Sequence, residues 1–231
     1  MNWEIKEQPD KEILEELHSE LNIPKFICTL LLQRNIDSLK LAQSYFRPNL
    51  DDLHDPFLMK DMDKTVDRLI RAIESSEKIM ILGDYDVDGT TSVSMLYDYF
   101  KKKTLDPIYY IPDRYKEGYG VSDQSIDFAE ENNVSLLITI DCGIKANDKI
   151  ESANTKGIDV IICDHHIPDN KIPKAYSIIN PNQNKCDYPF KGLCGCGIGF
   201  KLISAIEKKI GGNENVNQYL DLVAIATIAD Q

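Results

Sequence analysis

The chain lacks any excess of positive charge. Among its 231 residues Lys and Arg number 26 against 38 Asp and Glu, leaving a net charge of −12. Such a balance excludes binding bulk nucleic acid or an anionic membrane by overall charge alone, so a nucleic-acid role needs a local basic groove or bound cations. A long apolar run is also missing. The longest, near Leu222 to Ala229, is core-sized and well short of the roughly 18 residues that cross a bilayer. No secretory signal is expected, because Glu4, Glu7, Asp10 and Glu12 stand among the first residues. Six cysteines without a signal indicate a reducing cytoplasm rather than a disulfide framework. Cys186, Cys194 and Cys196 cluster, but in no C-x2-C spacing and with Gly195 and Gly197 among them, so buried packing rather than zinc is expected.

What is present is enough for a core: 42% of the residues are apolar and 28% charged, at a length of about one and a half domains. Residues 1–76 read as a helical N-terminal extension. Ile13, Leu14, Leu17 and Leu21 recur at helical spacing, a second helix follows Ile23-Pro24, a third spans Leu39 to Phe46, and a fourth runs from Met62 to Ile73. His18 and His54 are isolated and expected to be surface or structural. Residues 77–231 change to short apolar runs alternating with amphipathic helices. Strands are expected at 78–83, 107–111, 136–140, 158–163 and 176–179. The intervening helices are expected at 90–102, 123–132 and 145–156, and two more near 199–209 and 216–229 close the chain. Alternation at this pace predicts an α/β fold with a mostly parallel sheet flanked by helices.

Three of these strands end in aspartate. Ile79–Gly83 leads to Asp84, Asp86 and Asp88, Leu136–Ile140 to Asp141, and Val160–Cys163 to Asp164-His165-His166; a further acid, Asp230, closes the apolar segment Val223–Ala229. Ligands of an open parallel sheet bind outside the carboxyl ends of its strands, so the topology brings these acids to one edge. Two unit charges 4 Å apart repel by about 4 kcal/mol at an effective dielectric of 20. Protonation or divalent cations relieve that repulsion, and carboxylates with one or two imidazoles favour Mg2+ or Mn2+ over zinc. A pair of such ions is common apparatus for attack of water at phosphorus. The Asp84-x-Asp-x-Asp-Gly run also opens like a calcium loop, but Met95 stands where the twelfth-position Glu belongs, which excludes an EF-hand.

These residues resemble the DHH phosphoesterase superfamily. Gly83-Asp84-Tyr85-Asp86-Val87-Asp88-Gly89 resembles its first motif, Ile140-Asp141-Cys142-Gly143 its second, Asp164-His165-His166 its third and Ala226-Thr227-Ile228-Ala229-Asp230 its fourth. Within it the likeness, from about residue 20 onward, is to the single-stranded-DNA-specific exonucleases. Leu53–Leu58, Glu117-Gly118-Tyr119-Gly120 and Gly195–Lys201 narrow the match. The resemblance implies 5′-to-3′ digestion of single-stranded DNA in repair and recombination, with single-strand-binding protein and a helicase as partners. It implies two ions, Mn2+ or Mg2+: Asp86 and Asp141 on one, and Asp88, Asp141, His165 and Asp230 on the other. His166 would stand near the scissile phosphate, Asp164 would orient the histidine pair, and Asp84 would act from behind or through a water. Many members carry histidine four residues before Asp86; here Leu82 stands there and cannot ligate, so a weaker first site is expected.

Substrate contacts are expected elsewhere. The loop Gly195-x-Gly197-x-Gly199 reads as lying just before a helix, where backbone N–H groups receive phosphate, with Lys201 on that helix. Packing against the sheet explains the same glycines equally well. Arg114 and Tyr119 lie on the glycine-rich connection after the second strand, as DNA contacts or as an ordinary lid loop, whereas Lys101-Lys102-Lys103 ends a helix and is expected to be solvated. Two rivals stand beside the exonuclease reading. One is a phosphodiesterase of small oligonucleotides or cyclic dinucleotides, or a manganese pyrophosphatase; the other is a non-catalytic replication scaffold on the same fold. The roughly 80 residues before the first motif argue against the compact enzymes, and the intact acid and histidine set argues against the scaffold. Relatives of the exonuclease type continue into a second substrate-gripping domain and an OB-fold, and Asp230 is penultimate here. The expectation is a catalytic half with little processivity, which a nuclease assay beside a longer chain checks; equal processivity would contradict it.

Overall fold

The computed structural model describes residues 5–103 and 106–230, which fall into two compact units, Met1–Leu53 and His54–Gln231. In the first, α1 (Lys11–Leu21), α2 (Lys25–Leu32) and α3 (Leu39–Phe46) enclose a small core of Leu17, Cys28, Leu31 and Ala42. Asp10 caps α1, its carboxylate accepting the Glu12 N–H at 2.8 Å, and Ser38 caps α3. His18 serves this unit structurally, donating from Nδ1 to the Ile23 carbonyl at 2.6 Å.

The second unit is a five-stranded sheet in the order β2 (Ile108–Tyr110), β1 (Ile79–Gly83), β3 (Leu136–Ile140), β4 (Asp159–Cys163), β5 (Ser177–Ile179), every pair parallel. Alternate residues of the strands feed two cores. Ile79, Ile81, Ile138 and Ile161 join residues of α4 (Met62–Glu74), α5 (Val87–Lys102), α8 (Gly195–Ile210) and α9 (Leu220–Ala229). Met80, Leu82, Leu137 and Ile162 join α6 (Asp123–Glu131) and α7 (Asn147–Thr155) on the other face. The α/β expectation holds, and the sheet is wholly parallel. The expected boundary near residue 76 differs from the division at Leu53–His54, because Met62, Val66 and Leu69 of α4 lie in the same core as the sheet. Leu82 is fully buried on the α6–α7 side, which accounts for an apolar residue there. No helix among the described residues is long and apolar enough to cross a membrane.

The amino ends of the strands are tied by Arg68. Its guanidinium, 6% exposed, donates to Glu77 at 2.7 and 3.1 Å and to Asp159 at 2.8 Å, joining α4 to the starts of β1 and β4. Arg68 holds the Glu77 carboxyl below the usual carboxylate range, so this stabilisation is present above the ordinary glutamate value and lost as pH falls through the lowered one. Arg68→Met should cost about 2 kcal/mol at pH 7, with the gap to wild type narrowing below about pH 4. Urea unfolding at pH 7 and pH 3.5 checks this; an equal gap at both would contradict it.

Candidate active site

Strand order reverses direction at the β1–β3 pair: the chain passes from β1 to β2 on one side and reaches β3 on the other. Gly83, Ile140 and Cys163 lie level in the ladder, so the residues after them, Asp84, Asp141 and Asp164, stand along one edge. All three are at most 1% exposed. The crevice at such a reversal is where an α/β sheet binds its ligand.

Helix α5 begins at Val87, three residues before the expected start, because Asp86 caps it by accepting the Gly89 N–H at 2.8 Å. That start places Asp88 in the first turn, buried, where its two carboxylate oxygens accept the N–H groups of Gly195 at 2.5 Å and Cys196 at 2.8 Å. A negative charge thus seats on the N-terminus of α8.

This contact corrects the expected phosphate loop. Gly195, Gly197 and Gly199 lie within α8, which starts at Gly195 rather than near 199. The leading N–H groups belong to Asp88, and the Gly197 N–H turns to Cys194 Sγ at 3.4 Å. Glycine at 195 is a packing requirement: a Cβ there would stand 2.6 Å from the Asp141 Cβ. Lys201 is corrected as well. It is 4% exposed, and its Nζ donates to the His54 carbonyl at 2.7 Å, with burial depressing its pKa. No phosphate reaches it in that setting. Of the three clustered cysteines, Cys194 and Cys196 are buried as expected, whereas Cys186 is only partly buried.

Asp141 lies at the centre. Its φ of +62° is left-handed, a conformation costing a non-glycine residue on the order of 1–3 kcal/mol and kept where the surroundings enforce it. Its N–H donates to the Cys163 carbonyl at 2.9 Å, and its own carbonyl accepts the Tyr119 hydroxyl at 3.1 Å. Gly143, at φ +107°, completes the turn close against Thr139, where a Cβ would meet the hydroxyl oxygen at 2.6 Å. The Asp141 Oδ1 lies 3.0 Å from His165 Nε2, while its Oδ2 is buried without a partner among the described residues. Burial, with the nearby Asp88 and Asp86 charges adding to it, pushes the Asp141 carboxyl up to about 10. Burial also raises Asp84, whose Oδ1 accepts the Gly120 N–H at 3.3 Å and whose Oδ2 is likewise unpartnered.

The histidines divide their partners. His165 Nε2 stands 3.7 Å from Asp88, and its Nδ1 stands 3.8 Å from Asp230. His166 Nδ1 donates to Asp164 Oδ1 at 2.7 Å, which raises the His166 pKa; its Nε2 faces the Tyr119 hydroxyl at 3.3 Å. The other Asp164 oxygen accepts the Ile144 N–H at 2.9 Å. Two groups of donor atoms are close enough to share a cation: Asp88 with His165 and Asp230, and Asp141 with His165 and His166. Asp86 stands outside both, engaged at the α5 cap, although its charge acts on Asp141. A partnerless buried carboxylate oxygen amid oxygen-rich donors fits a divalent cation.

Tyr119 joins the site, half-exposed, edge-on to both His166 and Tyr85, with the Arg114 guanidinium 5.3 Å over the Tyr85 ring. Residue-type reasoning missed Tyr85 and the amides behind the histidines. Asn182 Nδ2 donates to the His165 carbonyl at 2.6 Å, and Asn180 Nδ2 to the His166 carbonyl at 2.9 Å. The signal was present: Ile179-Asn180 ends β5 in a polar residue, as β1, β3 and β4 end in acids.

The fold lines acids and imidazoles along one edge of a parallel sheet, and comparison with known proteins gives the family that shares this arrangement. The model of the DHH family, N-terminal domain, matches residues 78–227. The chain belongs to the DHH family. It is 42% identical over 230 residues to the single-stranded-DNA-specific exonuclease RecJ of Bacillus subtilis, a match covering all of this chain and 28% of that protein. It is 34% identical over 183 residues to RecJ of Escherichia coli, covering 74% of this chain and 32% of that one. A crystal structure of exonuclease RecJ bound to manganese superimposes with a TM-score of 0.69 at 31% identity, over 74% of this chain and 43% of the other. The chain thus spans about a third or less of the length of these curated relatives.

A raised Asp141 value in the folded state means that the native protein without cations holds a proton that the unfolded chain has lost. Asp141 therefore subtracts stability increasingly as pH rises from the ordinary carboxylate range toward 10. Asn tolerates the left-handed conformation and has no charge to bury. With a chelator present, the stability of Asp141→Asn relative to wild type should climb between pH 5 and 9 in urea unfolding; a constant difference would contradict this.

Proposed function

We propose that this chain hydrolyses phosphodiester bonds of single-stranded DNA, removing nucleotides from the 5′ end, with two divalent ions, Mn2+ or Mg2+, as cofactors. Support comes from the meeting at His165 of Asp88, Asp141 and Asp230, drawn from separate segments, and from a buried Asp141 carboxylate oxygen without a partner among the described residues. RecJ relatives named as single-stranded-DNA-specific exonucleases, and a RecJ crystal structure with bound manganese, point the same way. Asp88, His165 and Asp230 would hold one ion. Asp141 would hold the other, with Asp86 close by and His165 and His166 in reach.

When bound, the ions supply positive charge to an approaching phosphate and acidify water. The chain's own groups do the rest. Asp141, ionised when a cation is held there, would supply charge at the centre of the edge. Asp164 accepts from His166 Nδ1 and turns Nε2 outward, and its charge favours the protonated ring, the form in which Nε2–H donates to a phosphate oxygen. Asn180 and Asn182 hold the two histidine carbonyls and so the direction of both rings. Tyr119, its hydroxyl between the Asp141 carbonyl and His166, fixes the rim beside them. Loss of an outer partner of a metal-ligating residue costs about 10–100-fold. Asp164→Asn should therefore lose about that much in single-turnover cleavage of an end-labelled strand in Mn2+, and His165→Ala more than about 100-fold. Wild-type rates in His165→Ala would overturn the reading.

A further inference from the structure

Strand β3 reads Leu136-Leu137-Ile138-Thr139-Ile140, fully buried along its length and apolar except at Thr139. Level with Thr139 in the ladder stand Leu82 on β1 and Ile162 on β4. Valine would suit a buried strand there and bring no hydroxyl out of water, so the hydroxyl needs a reason. Its Oγ1 donates to the Cys142 carbonyl at 3.0 Å, reaching past Asp141 into the turn that follows the strand. That turn has positive φ at Asp141, +62°, and at Gly143, +107°. Backbone bonds fasten its two ends: the Asp141 N–H donates to the Cys163 carbonyl, and the Gly143 carbonyl accepts the Ala146 N–H at 3.0 Å. Between those ends, side-chain hydroxyls take both carbonyls, Tyr119 that of Asp141 and Thr139 that of Cys142. Gly143 lies against the same Thr139 hydroxyl, and the next N–H, of Ile144, donates to Asp164.

We propose that Thr139 is a positioning residue for Asp141: by holding the Cys142 carbonyl, its hydroxyl keeps Asp141 in the left-handed conformation that aims the carboxylate at its cation. The assignment rests on the two-ion reading of the site and adds the group that sets the central ligand. Thr139 itself touches no reacting atom. Without the hydroxyl, the Cys142 carbonyl is left buried and unpaired, which favours rotation of that peptide toward another donor. Rotation also releases Asp141 from a backbone conformation that a non-glycine residue adopts at a cost. Both effects act in the same direction, and the carboxylate turns away with the backbone.

The test is Mn2+ titration of the whole chain, read by electron paramagnetic resonance, for wild type, Thr139→Val, Thr139→Ala and Thr139→Ser. Valine keeps the volume, alanine removes the hydroxyl without crowding Gly143, and serine keeps the hydroxyl; melting in a chelator identifies the variants that fold. Wild type should bind two ions. Thr139→Val and Thr139→Ala should bind one ion as wild type does and the other at least about tenfold more weakly, the low end of the loss when an outer partner of a metal ligand is removed. Thr139→Ser should restore both affinities. A hydroxyl serving stability alone would lower the melting temperature in chelator and leave both affinities unchanged, and that result overturns the proposal. So does a folded Thr139→Ser that binds no better than Thr139→Ala. Wild type that binds no Mn2+ removes the two-ion reading and this proposal with it, whereas equal binding of two ions by wild type and Thr139→Ala removes the Thr139 assignment alone.

Discussion

Asp88 and Asp141 place two carboxylates beneath one imidazole with almost no access to water. Left to themselves, the two charges repel by several kcal/mol at any dielectric suited to a protein interior. The surrounding structure is arranged around that repulsion. Asp88 is offset by the N-terminus of α8, whose first two N–H groups end on its oxygens. Asp141 has no such offset: one oxygen meets His165, the other meets nothing, and its carboxyl retains a proton far above the usual range. The donor chemistry at Asp141 fits a divalent cation, which the proposed function places there.

The same contact explains why the second half of the chain must pack as it does. Seating Asp88 on α8 requires α8 to approach the turn after β3 so closely that residue 195 has no room for a side chain. Two contacts meet in one residue: Asp88 accepts the leading N–H groups of α8 and stands within reach of His165.

Much of this was legible from residue types. Apolar runs ending in acid marked β1, β3 and β4, and their shared direction followed from the alternation of strand and helix, so the meeting of Asp84, Asp141 and Asp164 was foreseeable. The glycine run at 195–199 misled, because glycine serves anion loops and close helix packing alike, and only the tertiary position of Asp88 decides between them. Lys201 misled for a similar reason. Its charge suggested a phosphate, yet its place on the buried face of α8 directs Nζ to the His54 carbonyl. Asn180 and Asn182 carried no motif, and only the level ends of the strands bring them behind the histidines.

The central claim is that cations complete the acid edge. Anomalous diffraction from crystals of the whole chain soaked in Mn2+ tests it most directly. The account predicts two peaks, one among Asp88, His165 and Asp230 and a second at Asp141, with the formerly partnerless Asp141 oxygen in coordination distance. Crystals with no anomalous signal at this edge, and Asp141 still paired with His165 alone, would contradict it.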